Sequence, residues 1–85
     1  MMVTIDTIER ILQRQEEFLN QRVELERGLG VMYVVGTGVL IAIEETPESY
    51  VFHFDPDQEH KSPEGDTFVF PRWEHGYMRL KYEEN

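Results

Sequence analysis

The residues best equipped for chemistry sit in the second half of the chain. The run Asp55-Pro56-Asp57-Gln58-Glu59-His60 sets oxygen donors at alternating positions, and Asp66 falls twelfth when Asp55 is counted first. That spacing is similar to the opening of a calcium-binding loop. The differences are substantial. His60 stands where the sharp turn needs glycine, the closing position holds Asp rather than the longer Glu, and the flanks read as strands rather than helices. The expected reading is an acidic, solvated connector that holds no metal.

The three histidines, His53, His60 and His75, have no spacing that would bring them to one ion. Ser49 and Ser62 lie outside any nucleophile elbow. The pairs Gly28/Gly30 and Gly36/Gly38 lack the third glycine and the following helix of a dinucleotide fingerprint. The carboxylates are many, but most fall in turns where water surrounds them, not in a cleft that would shift their pKa values. The sequence therefore implies no catalytic residue, no metal site and no cofactor, and a non-enzymatic role is expected.

Charge and aromatic content give the stronger signal. Of 85 residues, 17 are acidic and 8 are Lys or Arg, for a formal net charge of -9. Up to Ile43 six acids face four arginines; from Glu44 onward eleven acids face four bases. The surplus belongs to the second half. It argues against direct nucleic-acid binding, which needs a positive footprint, and it favours encounter with a basic protein surface. It also keeps a small protein soluble, whatever else it does.

The acids expected to carry such an encounter are Glu44, Glu45, Glu48, Asp55, Asp57, Glu59, Glu64 and Asp66, with Trp73 and Tyr77 as anchors. Trp73 has a competing role, closing one end of a small core. A small acidic domain of this kind can imitate the field of a nucleic acid. The expected function is thus an inhibitor or adaptor, of the sort found in phages and mobile elements, that engages a nucleic-acid-handling protein.

A chain of this length suits one domain, residues 1–85. It has no cysteine, which excludes disulfides and zinc–thiolate sites. Its first residues show no basic region followed by an apolar run, and its apolar stretch 31–43 is too short to span a bilayer. A cytoplasmic protein with no membrane association is expected.

The elements expected to position these residues follow from periodicity. Ile5, Ile8, Ile11, Leu12, Phe18, Leu19, Val23 and Leu25 approach a 3.6-residue repeat and predict one long amphipathic helix over residues 4–27, capped by Thr4 or Asp6 and stopped by Gly28 and Gly30. Strands are expected at about 31–36, 38–45, 49–55, 66–71 and 76–82, with Gly36-Thr37-Gly38 as a turn or a bulge. The predicted fold class is α+β, the helix packed on a four- to five-stranded antiparallel meander. Such a helix would be about 35 Å long against a sheet about 24 Å wide. Either its overhanging apolar stripe meets a second copy, giving a homodimer or a structural subunit, or the helix breaks near Asn20 or lies diagonally on the sheet.

Overall fold

The computed structural model describes residues 1–56, 66–73 and 77–84. It is almost entirely antiparallel sheet, and the long N-terminal helix does not form. In chain order the elements are β1 (Met2–Asp6), α1 (Ile8–Gln13), a 3-10 turn (Gln15–Glu17), β2 (Arg22–Leu29), β3 (Val31–Glu45), β4 (Ser49–Phe54), β5 (Thr67–Pro71) and β6 (Tyr77–Glu83). The spatial order is β1-β6-β2-β3-β4-β5, every neighbouring pair antiparallel.

The predicted helix fails at both ends for the same reason: its apolar residues there alternate with polar ones. Val3 and Ile5 flank Thr4 and pair with Tyr82 and Leu80 of β6. Val23 and Leu25 flank Glu24 and pair with the same two residues from the other side. Period-two burial on a ladder defeats a helix whose ends would gain only local hydrogen bonds. Only the middle keeps the helical repeat. Thr7 starts it at φ 71, its amide donating to the Met78 carbonyl at 2.9 Å and its hydroxyl accepting from the Arg10 amide. Asn20, at φ 67, ends the connection, its amide donating to the Leu40 carbonyl at 2.7 Å. Left-handed backbone is more easily adopted by Asn than by most residues, which makes position 20 a natural stop.

The expected break at Gly36-Thr37-Gly38 is a bend inside one fifteen-residue strand. Leu25 faces Gly36 while Glu26 faces Val34, so Val35 is extruded as a bulge. Leu40 faces Phe54 while Ala42 faces His53, so Ile41 is a second. Bulges bend and twist a strand, and between these two β3 leaves β2 and joins β4. A side chain at Gly36 would come within 2.8 Å of the Phe54 ring, so the bend lets the two ladders close on each other.

The core lies inside that bend. Ile5, Val23, Leu25, Met78, Leu80 and Tyr82 face it from the β1-β6-β2 side; Phe52, Phe54, Phe68 and Phe70 face it from β4 and β5. Ile11 and Phe18, both fully buried, plug one end. These are the residues that would have formed the apolar stripe of the predicted helix. With no long helix formed, the overhanging stripe expected to meet a second copy does not exist as an element. No helix among the described residues is long and apolar enough to cross a membrane.

Candidate functional site

The ten residues expected to meet a partner fall into separate places. β4 runs between them, and its five steps from Ser49 to Phe54 span about 17 Å. At one end is the β3–β4 turn with Glu44, Glu45 and Glu48, all exposed. At the other are Asp55, whose amide donates to the Val39 carbonyl, and Asp66, whose carbonyl accepts from the Phe54 amide. Tyr77 opens β6 opposite Gly28 and is 41% exposed. Asp57, Glu59 and Glu64 lie outside the described residues, as do His60 and His75. The calcium-like spacing therefore falls largely outside them too. Among the described residues no cluster of His, Asp and Glu is arranged to hold a metal ion.

The turn end is built tightly. Thr46 organises it: its hydroxyl accepts from the amides of Glu48 and Ser49, and its amide donates to the Ser49 carbonyl. Arg72, arriving at the end of β5, locks the turn. Its amide donates to the Glu48 carbonyl at 2.9 Å and its Nε to the Thr46 carbonyl at 2.7 Å. Its guanidinium lies over the Tyr50 ring, 4.4 Å from the centroid, with Nη1 3.3 Å from the Tyr50 hydroxyl. Arg72 is thus committed to backbone and ring, and the neighbouring carboxylates stay outward. On the outer face Glu44 pairs with His53 at 3.1 Å.

Trp73 follows Arg72 directly and is 78% exposed, which removes its core-closing role. A large aromatic held out in water, one residue past the Arg72 amide that bonds the Glu48 carbonyl, is the most anchor-like feature at this end. The sequence indicated Trp73 and the acids separately. It gave no sign that Arg72 would join them, because that contact spans 26 residues.

A second polar cluster joins Arg14 and Glu17, which the sequence places on the solvated face of the expected helix, to Tyr82 of the core. Arg14 grips Glu17 with two hydrogen bonds of 2.7 Å, and the nearly buried Tyr82 donates its hydroxyl to Glu17 at 2.9 Å. Arg14, and after it Tyr82, hold the Glu17 carboxyl down to about 2. Burial, and then the Glu17 bond, push the Tyr82 hydroxyl up. This cluster ties the 3-10 turn to β6. Two shallow depressions flank Tyr82: one of about 270 Å³ against Met2, Val23 and Thr37, the other of about 320 Å³ against Glu17 and Gln21. Both are open, and neither contains any of the ten expected residues.

Across protein-family models, curated proteins and solved structures, no match to this chain is found.

Proposed function

We propose that this chain is a non-catalytic protein-binding module that engages a basic protein surface through the corner formed by Glu44, Glu45, Glu48 and Trp73. The observation that carries this reading is Trp73, 78% exposed and one residue past Arg72, whose hydrogen bonds hold the acidic turn. Exposed tryptophan is a costly surface residue, and at interfaces it is among the commonest energetic anchors. The formal charge of -9 sets the sign of the partner. The field speeds encounter and the aromatic slows release. A groove that normally accepts a phosphate backbone has the required charge, so a nucleic-acid-handling protein inhibited or recruited by this module is the partner class proposed.

Trp73 is the only tryptophan, so its emission reports contact directly. Affinity capture from the native host is run with wild type, Trp73→Ala and the double variant Glu45→Lys/Glu48→Lys, at low and high salt. A partner of the proposed kind is retained by wild type, lost with each variant, weakened by salt, and shifts the tryptophan emission when purified and titrated. Capture of the same proteins by all three forms, indifferent to salt, would refute the reading.

A further inference from the structure

β3 has two halves with different company. Residues 40–45 pair with β4, and residues 31–39 pair with β2. On the side away from β2, residues 31–35 have no backbone partner among the described residues. This is an open sheet edge, and its outward amides and carbonyls are a template for another strand. Natural edges are usually blunted by charge or proline. β5 ends in Pro71 and β1 in Asp6, whereas Val31-Met32-Tyr33-Val34-Val35 carries neither. The whole run 28–43 has no charged residue, in a chain that is 29% charged.

The side chains along this edge are apolar and exposed: Val31 and Tyr33 at 65%, Val34 at 48%, with Leu29 at 77% across the hairpin from Val31. Leu29, Val31 and Tyr33 continue the core-facing side of the sheet beyond the point where the core ends. Arg27, on that same side, lies 5.5 Å from the Phe70 ring centroid and closes the core there. Past it, Leu29, Val31 and Tyr33 on that face are exposed.

We propose that this edge pairs antiparallel with the same edge of a second copy, joining the two sheets through β3. The segment is self-complementary. Antiparallel pairing of 31–35 on itself sets Tyr33 against Tyr33, Met32 against Val34 and Val31 against Val35, apolar at every position. Because the seam is charge-free, a second copy brings no like charge into it, although two bodies of -9 repel at longer range. The seam is only five residues long, so the dimer is expected to form and dissociate with concentration. It also strengthens with salt, since screening removes the long-range repulsion and leaves backbone and apolar contacts untouched. That sign is opposite to the one expected for a basic partner at the Trp73 corner, so the two interactions separate by salt alone.

Sedimentation of the full chain from low to high micromolar concentration tests this. Wild type is expected to pass from monomer to dimer, more readily at high salt. Val34→Lys, which sets a charge against Met32 of the second copy and two like charges diagonally across the seam, should weaken the dimer about tenfold or more while leaving circular dichroism and melting unchanged. The chain has no cysteine, so Tyr33→Cys should form a disulfide-linked dimer on mild oxidation while the control Glu48→Cys does not. A wild type that stays monomeric overturns the proposal. So does a dimer that survives Val34→Lys, or one in which position 33 fails to cross-link.

Discussion

Two solvent-facing surfaces of this sheet are built from opposite chemistry. Across the outer face of β1, β6 and β2 runs a ladder of alternating charge. Arg79 donates to Asp6 at 2.9 Å and lies 3.9 Å from Glu26, which lies 3.6 Å from Lys81, itself opposite Glu24 in register. A few residues along β2 the hairpin begins, and there every charge disappears and Leu29, Val31, Tyr33 and Val34 stand in water. The contrast teaches that exposure alone does not mark a surface as finished. The ladder is complete within one chain: its backbone is paired on both sides of β6 and β2, and its charges answer one another. The edge is complete only with something added.

The sharpest way to break the comparison is to remove the edge itself. Gly28 sits where the hairpin turns back, and a Cβ there would clash with the Val31 carbonyl oxygen, backbone that cannot swing aside. Gly28→Ala should therefore cost about 3 kcal/mol in denaturant unfolding, at the upper end of overpacking effects. It should also abolish concentration-dependent sedimentation, because the arm that presents 31–35 is displaced. Full stability with Ala at this position would mean that the hairpin is not clamped as described.

The ladder should fail differently. Arg79 lies between two carboxylates, and Glu26 is only 12% exposed, with one oxygen fully buried and without a hydrogen-bond partner among the described residues. Arg79→Met leaves Glu26 with Lys81 alone. The variant is expected to melt below wild type, because a largely buried carboxylate loses a nearby cation. Dimerisation should be unchanged, since the substitution alters no residue of the edge, and Glu26, the one ladder residue opposite Val34, keeps Lys81 beside it. Loss of the dimer in this variant would show that the two surfaces are not independent.

Charge pairing also sets a pH limit at the end of the core, where Glu17 meets Tyr82. The Glu17 carboxyl, held at about 2 by Arg14 and Tyr82 against an ordinary 4.5, is lowered by folding. Its contribution is complete above the ordinary value and is lost as pH falls through about 2. Melting temperature should therefore fall between those limits more steeply for wild type than for Glu17→Gln. Equal slopes would mean that the Arg14–Glu17–Tyr82 cluster does not persist in solution.

The sequence exposed some of these features and hid others for physical reasons. Tyr50, Phe52 and Phe54, and Met78, Leu80 and Tyr82, alternate without interruption, and those stretches are β4 and β6. Val3-Thr4-Ile5 and Val23-Glu24-Leu25 alternate as well, but each run is short. Joined through Ile8, Ile11, Leu12 and Phe18 they also satisfy a helical repeat, and only long-range pairing with β6 decides between the two. Gly36 and Gly38 read as a turn or a bulge, because a bulged bend and a turn ask for the same residue. The acids were legible as a surplus. Their division between the two ends of β4 follows from the strand expected at 49–55; what stayed hidden was Arg72 tying the end of β5 to the first group, a contact that depends on which strands lie side by side.

The smallest expected effect sharpens the comparison furthest. Val34 faces Glu26 across the hairpin and is 48% exposed. Lysine fits a strand edge without strain, its stem covering the same neighbours and its ammonium reaching water. Monomer stability in Val34→Lys should thus stay within about 0.5 kcal/mol of wild type, as for surface changes away from special features. Gly28→Ala destabilises the monomer and removes the dimer; Arg79→Met destabilises the monomer and spares the dimer. Val34→Lys should do neither harm to the fold nor service to the dimer. If it destabilised the monomer as much as Arg79→Met does, the edge would be packed against its own chain, and its apolar, charge-free composition would be a property of the core rather than of an interface.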